Sequence, residues 1–247
     1  MNKARIILVS LVAVTLFLFG CSDNVEKAKK EYAAGVEALQ SGNYEVAEAK
    51  IKKSLDLDPN NASALFQLGF LHSEVPEDIE IAISYLKQGN ELEPNNELGH
   101  YILSHLYAQK GLVGGEINEL KKTIAINNDN EGAHYNLGVI YAQKRLYDDA
   151  AKELNEVLRI NPNESDTVAN LLVVYLRSGK LSDALELEKK LIKLDKAKAD
   201  KLKPVIEESK KEAAKKAKKK KEKKKVVEKV AEKEKSEDIG KKTKGEE

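Results

Sequence analysis

Apolar and polar positions along the middle of the chain recur with a period close to thirty-four residues. Pro59-Asn60, Pro94-Asn95 and Pro162-Asn163 are spaced by 35 and 68 residues, and the missing midpoint falls on the turn-rich Asn127-Asn128-Asp129-Asn130. Leu68-Gly69, Leu103-Ser104, Leu137-Gly138 and Leu171-Leu172 step by 35, 34 and 34. Two further series keep the register: His72, Tyr107, Tyr141 and Tyr175, and the small residues Ala47, Ala82, Ala150 and Ala184. Within each copy the Leu and Tyr positions recur at helical spacing. Pro-Asn ends the second helix, because proline cannot continue one. The pattern predicts five antiparallel helix pairs, at 28–61, 62–96, 97–130, 131–164 and 165–196.

A lone pair cannot cover its own apolar face, so neighbouring pairs must stack into a continuous core. Gly or Ala where the helices cross lets two backbones approach closely. The expected fold class is all-α: an α-solenoid of about five helix-turn-helix repeats. Such an array needs a polar cap, and residues 197–216, with Leu202, Val205 and Ile206 apolar, form the expected capping helix. Residues 217–247 read as a basic tail, disordered or partly helical. Two copies are irregular. The second holds an extra residue around Val75-Pro76-Glu77-Asp78. The third has Glu116 at the small-residue position, and its Gly114-Gly115 pair reads as a helix break.

These registers resemble the tetratricopeptide repeat over about residues 28–196, the fourth copy being the most regular. The resemblance implies that the first helix of each pair lines a concave groove, with its fifth and ninth positions pointing inward. The fifth position reads Tyr32, Phe66, Tyr101, Tyr135 and Ala169, and the ninth Val36, Phe70, His105, Val139 and Val173. Tyr32, Phe66, Phe70, Tyr101, His105, Tyr135 and Val139 thus become candidates for the wall of a protein-binding groove. Its guest would be an apolar helix or an extended segment. The alternative is that the fifth-position rings pack against the next repeat. Family members that bind chaperone tails clamp a terminal carboxylate with Lys and Asn at these positions. Tyr32, Val36, Phe66 and Phe70 stand there instead, so no such clamp is expected.

The N-terminus has a different character. Met1–Arg5 is short and positive, and Ile6–Phe19 is uncharged. A bilayer-spanning helix needs about 20 apolar residues, so this run suits the core of a secretory signal better. It ends at Leu18-Phe19-Gly20-Cys21, which resembles a bacterial lipobox apart from the large Phe19. The resemblance implies a signal peptide at 1–20, a lipidated Cys21 bearing palmitate-type chains, and a linker at 21–27. By likeness to enterobacterial sorting, Ser22 points to the periplasmic face of the outer membrane. In a Gram-positive cell the anchor would sit on the extracellular face of the plasma membrane. An ordinary cleaved signal, or a buried N-terminal helix with an incidental Cys, are the competing readings.

Charge sharpens this picture. Lys and Arg total 42 against 41 acids, yet residues 210–247 carry 17 Lys and 9 acids. Residues 21–209 hold 23 basic and 32 acidic side chains. An acidic body therefore carries a basic tail, suited to an anionic lipid surface, cell wall or acidic partner or simply to solvent. Nucleic acid is disfavoured, since no aromatics interleave with the lysines. One Cys excludes a disulfide framework. His72, His100, His105 and His134 form no HExxH pattern, and His100 and His134, at the same repeat position, read as packing residues. No catalytic residue, metal ligand, cofactor or small-molecule substrate is expected.

In architecture the chain resembles lipoproteins that help place type IV pilus secretin rings (pilotin-type proteins). It also resembles adaptors for peptidoglycan hydrolases and outer-membrane assembly factors. The expected function is a membrane-anchored scaffold for a cell-envelope complex. The alternative is a lipoprotein that grips the cell wall or another anionic surface through its tail. Cys21→Ser should abolish incorporation of a palmitate analogue in metabolic labelling. Equal labelling of the variant would remove the lipoprotein reading.

Overall fold

The computed structural model describes residues 23–242; Cys21 and the segment before it lie outside the described residues. The described residues form α1 at 23–40, α2 (Tyr44–Leu57), α3 (Ala62–Ser73), α4 (Ile79–Leu92), α5 (Glu97–Gln109), α6 (Val113–Ile126), α7 (Glu131–Gln143), α8 (Tyr147–Ile160), α9 (Ser165–Ser178), α10 (Leu181–Leu194) and α11 (Lys196–Lys242). A single turn of 3₁₀ helix, Pro76–Asp78, precedes α4. It takes up the extra residue of the second repeat. No strand occurs among the described residues. The fold is an all-α array of five helix-turn-helix pairs, and the chain divides into two compact units, Met1–Ala133 and His134–Glu247.

Local chemistry sets the helix ends. The side chains of Asn61, Asn96 and Asn130 accept hydrogen bonds from the backbone N–H groups of Ala64, Gly99 and Ala133, at 3.1, 2.8 and 2.8 Å. These are N-caps, each satisfying a donor that the helix itself cannot. Glu164 plays the same part for α9 through the Thr167 N–H. The third repeat carries Asn128 where its neighbours have proline, and Asn127 just before it makes the turn, as Asp58 does before Pro59. Asn127 Oδ1 accepts from Asp129 N–H at 3.0 Å, an Asx turn, and the chain turns without a proline.

The turn inside each pair is also repeated. Gly42, Gly111 and Gly179 have φ of 74°, 69° and 80°. Their N–H groups donate to Leu39, Ala108 and Leu176 carbonyls, while the following residues donate to Ala38, Tyr107 and Tyr175. This paired pattern closes a helix through a left-handed residue, for which glycine is favoured. The fourth repeat makes the same two bonds, Arg145 to Ala142 and Leu146 to Tyr141, with an arginine at φ 62°.

Packing follows the small-residue registers. A Cβ on Gly138 would lie 2.9 Å from Leu154 Cγ, and one on Gly69 2.6 Å from Leu86 Cγ. Those leucines fill the space that the missing side chains leave. In the first unit the core runs through Ile51 and Leu68, then Phe66, Leu86, Leu103 and Leu106. In the second it runs through Leu154, Leu171 and Val174, then Leu172, Leu176 and Leu191. Ala199 and Ile206 of α11 close that last cluster, and the start of α11 thereby covers the apolar face left open by α10.

One sequence expectation is corrected here. Gly114 and Gly115 do not break a helix but lie in the first turn of α6. Gly115 is small for another reason: a Cβ there would meet the Tyr107 ring at 2.8 Å. Of the two readings of the tail, disordered or partly helical, the second applies through Lys242: α11 continues through Pro204 for 47 residues, about 70 Å at 1.5 Å per residue. Lys, Glu and Ala are all strong helix formers, and Lys224 and Glu228 sit one turn apart at 3.8 Å. From Ala214 to Lys225 every side chain is exposed.

Glu116 remains the misfit of the third repeat. Burial pushes its carboxyl above the usual range, so the folded state holds that proton more tightly than the unfolded chain does. The stability this gives is present below the unfolded pKa and is lost as pH rises through the folded one. Glu116→Ala should therefore raise the melting temperature, and by more at pH 7 than at pH 4. Thermal unfolding followed by circular dichroism at the two pH values checks both the sign and the trend.

Candidate functional site

The structure separates the groove candidates into buried and available side chains. Phe66 is not available: it is 4% exposed and belongs to the core of the first unit. The cause is the absence of two side chains. A Cβ on Gly89 or Gly99 would lie 2.7 or 2.6 Å from Phe66 Cε1, so the ring occupies the room those glycines leave. Phe70, one turn on, is half-buried and stacks on Phe66 at 6.1 Å. Tyr32 is half-buried against Ile51, Ala64 and Leu68.

Fifth-position tyrosines reach toward the next repeat. The Tyr101 ring closes over Gly132, where a Cβ would lie within 2.9 Å of its Cζ. In the second unit Asn170 Nδ2 donates to the Tyr135 hydroxyl at 2.9 Å. These rings thus join repeats while keeping one edge accessible. His105 is exposed and meets Tyr101 edge-on at 4.7 Å. The partial desolvation of its packed face lowers its pKa.

Within the second unit the inner helix face opens into a cavity of about 670 Å³. Val139, Val173 and Val174 give it an apolar floor, with Tyr147 and Asn170 beside them. Arg145 and Arg177 also line it, and no acidic residue does. Val139 was a sequence candidate; Tyr147, Asn170 and the two arginines were not. One of them was nonetheless visible in the register, because Arg145 stands where three other repeats carry Gly42, Gly111 and Gly179.

His100 and His134 do pack in the seam, but not as plain rings. They are 3% and 2% exposed, and each faces a buried carboxylate nineteen residues on. His100 Nδ1 lies 2.6 Å from Glu119 Oε2, and its Nε2 donates to the Pro94 carbonyl at 3.0 Å. His134 Nδ1 lies 2.7 Å from Glu153 Oε2. The first repeat uses the same pair of positions with its acid on the other helix. There Glu31 accepts from Lys50 at 2.9 Å and from Lys53 at 2.6 Å. Lys53 and then Lys50 hold the Glu31 carboxyl below its usual range. His72 instead bridges Asp78, at 2.8 Å, and Glu48, at 3.4 Å. The pairs nineteen residues apart each join the two helices of one repeat, whereas His72 reaches from α3 back to Glu48 of α2. Among the described residues no three His, Cys, Asp or Glu side chains assemble a metal site. No described helix is long and apolar enough to cross a membrane.

Comparison with known proteins agrees with this architecture. Residues 32–72 and 117–173 match tetratricopeptide-repeat families. A crystal structure of the MamA protein superimposes with a TM-score of 0.61 at 24% identity, over 71% of this chain and 95% of that one. YrrB, a tetratricopeptide-repeat protein with an unusual peptide-binding site, gives 0.64 at 21% identity, over 76% and 97%. MamA from Desulfovibrio magneticus RS-1 gives 0.58 at 19% identity, over 69% and 96%. No curated protein matches the chain significantly.

The seam pairs can be tested directly. His134→Ala leaves Glu153 buried without its ring, and Glu153→Ala leaves His134 without its carboxylate. Each should cost about 1–3 kcal/mol in urea unfolding. The double variant should cost less than the two combined, by roughly 0.5 kcal/mol or more. Strict additivity would mean that the two groups do not interact.

Proposed function

We propose that this chain, built of tetratricopeptide repeats, is a non-catalytic protein-binding scaffold held at a membrane by lipid on Cys21 and working in the assembly of a cell-envelope complex. The observation that carries the binding role is the set of partly open side chains in each unit by itself. The first offers the half-buried Phe70 and Tyr101, and the second the valine-floored cavity. Partly exposed aromatic rings on a rigid scaffold are what partner recognition exploits, since binding energy concentrates in buried aromatic anchors. The likeness to YrrB, which has a peptide-binding site, favours the same reading. Membrane attachment rests on the lipobox-like Leu18–Cys21, and the choice of an envelope machine rests on resemblance to secretin-placing and hydrolase-adaptor lipoproteins.

The exposed lysines of α11 support a second role beside the first. Between Lys215 and Lys225 there are nine lysines and one acid, every one of them solvent-facing. Such a helix suits an anionic surface, whether lipid headgroups or cell wall, and each lysine near a charged bilayer adds about 1 kcal/mol of attraction.

The two roles separate experimentally. Replacing Phe70 and Tyr101 by Ala should weaken partner capture from detergent-solubilised membranes, by about 2 kcal/mol for each ring that is a true hot spot. Both rings also touch the core or the next repeat, so unfolding curves must accompany the capture. Deleting 210–247 should instead weaken binding to anionic vesicles or cell wall, in a manner that salt screens over about 8 Å at physiological ionic strength. If the deletion abolishes partner capture while the folded double-Ala variant binds normally, the inner face is not the binding site.

A further inference from the structure

Arg145 is the only described non-glycine residue with positive φ, at 62°. Three other repeats place Gly42, Gly111 and Gly179 at this turn, where the left-handed conformation carries no steric penalty. An arginine there is strained, and strained backbone in a folded protein concentrates where function requires a particular side chain. The turn itself does not need it, since its two closing hydrogen bonds, at 3.0 and 2.9 Å, use backbone atoms only. Nor does an internal ion pair. Among the described residues Arg145 and Arg177 have no carboxylate partner, although Lys180 close by is paired with Asp148 at 2.7 Å.

Both unpaired arginines line the cavity floored by Val139, Val173 and Val174, which has no acidic residue in its lining. The surrounding body is acidic, with 23 basic and 32 acidic residues over 21–209. Two free arginines beside an apolar floor are thus a local reversal of its charge. Arg177 alone has an ordinary explanation, because it lies in the last turn of α9, where a cation complements the carbonyl ends. Arg145 has no such sufficient account, because Lys144 already supplies a cation at the end of α7.

We propose that Arg145 and Arg177 seat a carboxylate of an acidic partner segment, whose neighbouring apolar side chain lies on the Val139–Val173–Val174 floor. Guanidinium suits this task, because its planar fork donates two parallel hydrogen bonds to one carboxylate. The site differs from a terminal-carboxylate clamp at the fifth and ninth helix positions. Its cations come from an inter-helix turn and a helix end. The proposal rests on the reading of the inner face as a protein-binding surface and names the chemistry of the guest.

The test uses the purified full-length chain in detergent, with short fluorescein-labelled peptides in matched pairs. One member carries Glu beside a Leu-Val-Leu run; the other carries Gln in its place. Fluorescence anisotropy should show the Glu peptides binding about tenfold or more tightly than the Gln peptides, as charge-assisted hydrogen bonds to carboxylate require. Arg145→Gly and Arg177→Gln should each remove most of that preference, weakening the Glu peptides more than the Gln peptides. Arg145→Gly should at the same time keep or raise the melting temperature, since it relieves the turn. Loss of affinity without loss of stability is a result that a merely structural arginine would not give. Equal binding of Glu and Gln peptides, with Arg145→Gly inert, would overturn the carboxylate seat and leave the groove reading standing. Failure of every peptide to bind would overturn both. Self-association of the chain that Arg145→Gly abolishes, without peptide binding, would give the site to a second copy and overturn the peptide assignment.

Discussion

A two-helix unit can bury only one of its faces, and every other feature of this chain follows from the need to cover the remaining one. The helices of a pair approach closely where one of them has no side chain, as Leu154 does over Gly138 and Leu86 over Gly69. That approach brings a continuous leucine seam out of side chains three or four positions apart. A seam of this kind has open ends. In the second unit the end is closed by Ala199 and Ile206 near the start of α11, and from Ala214 to Lys225 the helix is exposed and rich in lysine. The same helix thus completes the core with one segment and presents lysines to solvent with the next.

The seam is not uniformly apolar, and its polar insertions obey the same geometry. A residue at the fourth position of a repeat faces one nineteen residues on, across the pair. Two repeats fill these positions with His100–Glu119 and His134–Glu153, and one with Glu31–Lys50. A buried ionisable group is tolerated when its partner is fixed beside it, and the repeat supplies such a partner at constant register. The fifth repeat places Val168 and Leu187 at the same two positions, which dispenses with the pair altogether.

Function depends on what this economy leaves uncovered. The fifth-position tyrosines spend part of their surface on the next repeat, as Tyr135 does through Asn170. What is free for a partner is therefore less than the row of rings suggests, and Phe66 drops out of it entirely. In exchange, the turn of the fourth repeat carries an arginine in a glycine's conformation and sets a charge beside an apolar floor. Such departures from the repeat consensus are local. The departures cost stability at one position without disturbing the register of the rest.

By itself the sequence determined the class of fold, the number of helix pairs and their register, because these depend on local quantities. Periodic leucines, small residues at crossings and turn formers such as Pro-Asn are chosen within one repeat and recur along the chain. Even the missing proline at Asn128 was readable as a turn, through the preference of Asn, here Asn127, for turning on its own side chain. Tertiary structure alone decided which members of an apparently equivalent series are accessible. Phe66 and Phe70 look alike in the chain, and only the absence of side chains at Gly89 and Gly99, more than twenty residues away, buries the first. The partners of His100 and His134, and the meeting of Arg145 with Arg177 in one cavity, were likewise beyond a reading of the chain. Such pairings join residues from different helices, and no local propensity encodes which side chains a packed seam will bring face to face.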